Sequence, residues 1–189
     1  MDIKFSELKR KSNDFEKFKS LYHSAFPAYE QIPVWILFRR AKSENILFYS
    51  VYDNETWIGF VYLIIDGDLL FLQYLAVDDS VRSKGYGGAI LSKLKADFSE
   101  YRIFFAIEMP DEKAENNAQR IKRKEFYEKH GFREAGYAVE NPNVVTFEIL
   151  LHGNAIVSDD FRKVMGKLWG KFIWTIMKKF MKIHEKSNA

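Results

Sequence analysis

An alternating apolar run, Leu69-Leu-Phe-Leu-Gln-Tyr-Leu-Ala-Val77, stops at Asp78-Asp-Ser80 and passes into Arg82-Ser-Lys-Gly-Tyr-Gly-Gly88. Apolar residues then recur at helical spacing from Ala89 to Phe98. Strict alternation marks a strand with two unlike faces, and three- and four-residue spacing marks a helix. The chain must therefore turn from strand to helix through a glycine-rich bend. Glycine enters backbone regions closed to other residues and leaves no side chain in the way of an approaching ligand. Several amide N–H groups at a helix start can then converge on an anion, helped by the helix dipole and by Arg82 and Lys84. The pattern reads as a diphosphate cradle; the plain alternative is a tight turn flanked by two cations.

Two familiar phosphate motifs do not fit. A P-loop needs Lys-Ser or Lys-Thr after its last glycine, where this chain has Ala89-Ile90. A dinucleotide fingerprint needs glycines spaced one and then two apart, unlike Gly85, Gly87 and Gly88. The stretch Arg82-x-x-Gly85-x-Gly87 instead resembles Arg-x-x-Gly-x-Gly, the pyrophosphate-binding signature of the GNAT superfamily of N-acetyltransferases. A second segment agrees. Tyr101 to Met109 reads as a strand stopped by Pro110, and Gln119 to Lys129 as a helix closed by Gly131. Its end, Phe126-Tyr-Glu-Lys-His-Gly-Phe132, resembles the family's Leu-Tyr-x-Lys-x-Gly-Phe. Two signatures in order, separated by one strand, identify the chain as GNAT-like.

The rest of the pattern is compatible. Ile3 to Leu8, Ile46 to Tyr52, Trp57 to Ile65, Glu134 to Glu140 and Val144 to Leu151 read as further strands. Asp66-Gly-Asp68 signals a hairpin, and Asn141-Pro-Asn143 joins the last two strands. Asn13 is placed to cap a helix burying Phe15, Phe18, Leu21 and Tyr22, and Pro33 opens a second helix towards Ala41. The order β-α-α-β-β-β-α-β-α-β-β matches an α/β (α+β mixed) fold of GNAT type. The expectation is a twisted mixed sheet of about seven strands flanked by helices over residues 1–153, with a helical C-terminal extension over 154–189.

The resemblance also implies roles. Leu75, Ala76 and Val77 match a strand end that splays from its neighbour and pairs with pantetheine. The amides of Ser83, Lys84, Gly85, Tyr86, Gly87 and Gly88 match the cradle, with Arg82 beside it. Tyr127 occupies the place of the general acid that protonates the departing sulfur of acetyl-CoA. The base is not fixed by the family. Glu30, on the loop between the first two helices, and Glu108, near a strand end, are the two candidates. Where many relatives carry an asparagine seven residues before the tyrosine, this chain has Arg120, a candidate cofactor contact or part of a solvated basic face. The implied reaction is direct acetyl transfer from acetyl-CoA to a primary amine of a small molecule or peptide, in a ternary complex. The alternative is a catalytically degenerate acyl-CoA-binding sensor or scaffold whose tail docks on a membrane or partner.

Composition narrows the field further. The 189 residues are 47% apolar, include seventeen Phe and ten Tyr, and carry a formal charge of only +3. That length suits one domain with a substantial core. With no cysteine there is no disulfide, thiol nucleophile or thiolate-held metal, and the four histidines lack ligand spacing, so no metal is expected. The early charges of Asp2-Ile-Lys4 do not read as a signal peptide, and the expected location is the cytoplasm. From Ser158 onward, eight Lys or Arg face three acids, so this tail is net +5 and the remainder −2. Phe161, Met165, Leu168, Trp169, Phe172, Ile176 and Phe180 form an apolar stripe opposite Lys163, Lys167, Lys171 and Lys178. Ser158-Asp-Asp160 suits a helix start, while Gly166 and Gly170 weaken one continuous helix. Packing onto the domain, contact with an anionic membrane surface and homodimerisation are three uses of such a stripe. No nucleic-acid motif accompanies the charge, so nucleic acid is not an expected partner.

Overall fold

The computed structural model describes residues 1–141, 145–179 and 181–185. The chain forms two compact units, one of Met1–Ile65 with Leu72–Ser99, the other of Asp66–Phe71 with Glu100–Ala189. Strands run in the order β1-β2-β3-β4-β5-β7-β6-β8 in a mostly antiparallel sheet, with helices along the chain between them. The eighth strand exceeds the sequence expectation.

In the first unit, β1 (Ile3–Glu7) lies antiparallel to β2 (Ile46–Asp53), which lies antiparallel to β3 (Thr56–Asp66). The following strand, β4, spans Leu69–Val77. Trp57 to Ile64 are buried without a break, the mark of a strand covered on both faces. Helices α1 (Phe15–Ala25) and α2 (Val34–Arg40) bury Phe18, Tyr22, Leu37 and Phe38. Phe18 meets Phe60 at 4.9 Å and Phe48 at 5.0 Å, both edge-on, contacts that add about 0.5–1.5 kcal/mol each beyond area burial. Helix α3 (Tyr86–Asp97) closes the unit on Ile90, Leu91 and Leu94.

One capping expectation fails. Asp14, not Asn13, stands at the α1 N-cap, and it makes no side-chain cap bond. Its buried carboxylate instead accepts hydrogen bonds from Ser50 Oγ at 3.0 Å and from the Tyr52 hydroxyl. Two buried hydroxyls outcompeted the helix end, a choice made by tertiary packing that local spacing does not encode.

In the second unit, the start of β4 pairs in parallel with β5 (Arg102–Glu108), Leu69 opposite Arg102 and Phe71 opposite Phe104. Strand β5 lies antiparallel to β7 (Val145–His152), and β7 to β6 (Arg133–Asn141). Helix α4 (Asn117–Lys129) ends before Gly131, whose φ of 81° is the left-handed stop the sequence suggests. The expected turn through Pro142 and Asn143 lies outside the described residues.

The tail is not one helix. Helix α5 (Ser158–Trp169) and helix α6 (Lys171–Met177) meet at Gly170, whose φ is 79°. Val157 occupies the N-cap, and Asp160 reaches back to accept its N–H at 3.2 Å. Phe161, Val164, Met165 and Leu168 are buried, Phe161 edge-on to Phe71 at 5.7 Å. Gly166 makes room for Trp174, since a Cβ there would lie 3.3 Å from its ring. The side chains of Lys171, Phe172 and Phe180 lie outside the described residues. The chain then forms β8 (Lys182–Glu185), an edge strand antiparallel to β6, where helix was expected.

Candidate functional site

The bend after β4 is built by short-range bonds. Asp78 N donates to Ile58 O at 2.9 Å and so fastens the strand end to β3. Its carboxylate accepts from Ser80 N at 3.0 Å and Ser80 Oγ at 2.5 Å, opening a single 3₁₀ turn over Asp79–Val81. Arg82 donates from Nε to Val77 O at 3.2 Å and pairs with Asp79 at 2.7 Å, bracing the same turn. Ser83 then takes a φ of 64° and Gly85 one of 83°. The serine adopts a region unfavourable to side chains, and the glycine two positions on enters that region without penalty.

Gly85 is the N-cap of α3 and supplies no side chain to close it. The first intrahelical bond runs from Ala89 N to Gly85 O at 3.1 Å, so the N–H groups of Tyr86, Gly87 and Gly88 precede it. The Tyr86 hydroxyl donates to Asp53 at 2.9 Å, and the Asp53 carboxyl is held below its usual range chiefly by the Asp2 N–H and then by this phenol. Lys84 is exposed and forms no ion pair among the described residues. A helix start with uncapped amides, positive dipole and two nearby cations fits a phosphate group.

Behind this bend the strands approach closely. Ala76 is buried, with Leu75 and Val77 half-buried on either side. A Cβ on Gly59 would stand 2.1 Å from Ala76 O, an impossible contact with rigid backbone. The β2–β3 register also slips beside it: Val51 faces Gly59 while Tyr52 faces Trp57. Gly59 thus sets where the end of β4 lies, and no reading of the cradle motif pointed to it. A lone glycine inside the apolar run Trp57–Ile65 was the available signal, since such residues mark bulges or close backbone approach.

Glu30 lies half-buried on the loop between α1 and α2. Two phenols pin that loop. Tyr74 donates to Glu30 O at 2.5 Å, while Tyr22 donates to Ile32 O at 3.0 Å and accepts from Ile32 N at 2.7 Å. Burial pushes the Tyr74 phenol up to about 12, and Tyr22 higher still, so both keep their protons. The loop that carries Glu30 is therefore fixed by buried donors of its own unit.

In the second unit, Glu108 is only 3% exposed, beneath α4. It accepts from Arg120 Nη2 at 3.2 Å, Arg123 Nη1 at 3.3 Å and Asn116 Nδ2 at 3.3 Å. Arg120, itself buried, also donates to Met109 O at 3.0 Å and Asn116 Oδ1 at 2.8 Å. All three of its nitrogens are thus engaged within the unit. Tyr127 packs against Phe105 at 4.3 Å and Phe126 at 5.2 Å. Burial raises its phenol pKa, with Arg123 opposing, so Tyr127 is protonated at neutral pH and able to donate.

The model of the acetyltransferase (GNAT) domain matches residues 44–134, which include the cradle, Glu108 and Tyr127. Residues 44–134 carry a GNAT acetyltransferase domain. Solved structures share the fold. A protein from Bacteroides thetaiotaomicron described as a GNAT-family acetyltransferase is 20% identical, covering 90% of this chain and 98% of its own, with a TM-score of 0.72. An aminoglycoside 6'-N-acetyltransferase complexed with coenzyme A is 17% identical over 80% of this chain and 96% of its own, with a TM-score of 0.60. A spermidine N-acetyltransferase chimera from Vibrio cholerae and a second enzyme is 18% identical over 80% and 95%, with a TM-score of 0.61. No curated protein matches the chain significantly. No helix among the described residues is long and apolar enough to cross a membrane.

Proposed function

We propose that this protein is an N-acetyltransferase that moves the acetyl group of acetyl-CoA to a primary amine of a small molecule or peptide by direct transfer. The observation that carries the reading is the uncapped start of α3, held open by Ser83 and Gly85 in the left-handed region. The amides of Ser83 to Gly88 take the diphosphate, with Lys84 as the exposed cation and Arg82 bracing the turn. Leu75, Ala76 and Val77 supply the backbone that pairs with pantetheine and polarises the thioester carbonyl. Amine acceptors are supported by two of the fold neighbours, which are named for acetylating an aminoglycoside and spermidine.

Tyr127 is the general acid. A phenol whose pKa is raised by burial stays protonated at neutral pH and can give its proton to a departing thiolate. Glu30 is the base we assign, because the Glu108 carboxylate already receives three donors and protonating it would break two ion pairs. Glu108 and Arg120 then act together in orienting α4, the helix that bears Tyr127. The test is release of free CoA from acetyl-CoA over a panel of primary amines, each followed with wild type and Glu30→Gln. Turnover on at least one amine, lost in the variant, supports the assignment. Binding of acetyl-CoA without turnover on any amine supports the sensor instead.

A further inference from the structure

The first unit carries a second concavity, at the opposite end of its strands from the cradle. Asp53, the last residue of β2, bonds Tyr86 of the cradle helix. The first residues of β2 lie seven positions earlier, roughly 20 Å away along an extended strand. There the end of β1, the start of β2 and the end of α2 surround a cavity of about 450 Å³. That volume falls within the range of small-molecule sites, about 300–1,000 Å³.

Its lining has two parts. Leu8, Phe38, Ile46 and Phe48 are buried and provide an apolar floor. Four charged residues stand at the rim: Glu7, Lys9, Arg10 and Lys42. Glu7 and Lys9 pair with each other at 2.8 Å and cancel. Arg10 and Lys42 are exposed and form no ion pair among the described residues. The site therefore presents two uncompensated positive charges above a greasy floor. A cationic amine would be repelled at the rim, and a compact polyanion would find no polar partner on the floor. An apolar body with one anionic head satisfies both parts at once.

We propose that this cavity binds a small amphipathic carboxylate, aromatic or medium-chain aliphatic, at a site separate from the cradle. The inference is independent of the acetyl-transfer reading, since none of its lining residues has a part in that chemistry. Calorimetric titration of the full chain with phenylbutyrate, and with phenylbutanol as the uncharged counterpart, tests it. The acid is expected to bind saturably, at least about tenfold more tightly than the alcohol. The exposed double substitution Arg10→Glu, Lys42→Glu should weaken the acid by about tenfold or more while leaving thermal unfolding unchanged. Ala41→Trp, which fills the cavity from its α2 side, should abolish binding. Equal binding of acid and alcohol, acid binding untouched by both substitutions, displacement by CoA, or no saturable binding of the acid would each overturn the proposal.

Discussion

The bend at residues 78–88 and the cluster around Glu108 both place arginines near the start of a helix, yet they use charge oppositely. Around Glu108, the buried carboxylate is met by the buried Arg120, the exposed Arg123 and the Asn116 amide. At the bend, Arg82 is likewise spent on Val77 O and Asp79, but the amides of the helix start have no capping side chain. The anion site we propose is therefore made by backbone, with cations as helpers. Counting basic residues would have ranked the Arg120–Lys124 run above the cradle, and its chemistry points the other way.

That contrast can be broken from either side. The largest effect is expected from Arg120→Met, which leaves a buried carboxylate with two of its three donors. It should destabilise the fold by about 3 kcal/mol in urea unfolding, and Glu108→Gln combined with it should recover part of the loss. Next comes Tyr127→Phe, which should lower kcat about a hundredfold while leaving the Kd for CoA unchanged. Gly59→Ala forces a methyl into Ala76 O and should cost about 2 kcal/mol, with a raised KM for acetyl-CoA as the specific sign that β4 has moved. Gly85→Ala meets no atom nearer than 3.8 Å, so its penalty is purely conformational, about 1–2 kcal/mol. It should weaken CoA by about tenfold because the amides turn away.

The smallest effect concerns pH. Asp160 is buried, which favours its neutral form, but Lys163, the Val157 N–H and Arg102 outweigh this and hold its carboxyl below the ordinary range. A depressed folded pKa stabilises the protein above the unfolded value, about 3.9, and that contribution fades as pH falls through the folded pKa. Unfolding midpoints measured from about pH 5 downward should therefore fall more steeply for wild type than for Asp160→Asn. Equal slopes would mean that the α5 anchor does not depend on this charge.

Local pattern carried most of the fold. Strand β4 has the bounds its alternation predicts, and α3 and α4 begin and end within a few residues of expectation, because glycine marks the start of one and the end of the other. What stayed hidden depends on partners distant in sequence. Lys182–Glu185 becomes a strand only because β6 offers it an edge, and its four residues have no alternation long enough to announce that. Asp14 turns from its helix to Ser50 and Tyr52, and Asp160 reaches back to the Val157 N–H at the start of α5. The same limit applies to the site. The proposal for Arg82 to Gly88 rests on glycine spacing and a family resemblance visible in the sequence, whereas the contacts among Glu108, Arg120 and Arg123 arise from packing.

The central claim is that backbone amides of residues 83–88 receive a diphosphate. Amide chemical-shift perturbation in a ¹⁵N-labelled sample titrated with CoA addresses it directly. The account predicts the strongest, saturable shifts at Ser83 to Gly88, with Leu75 to Val77 following. Saturable CoA binding that leaves those amides unmoved, or no binding at all, would contradict it.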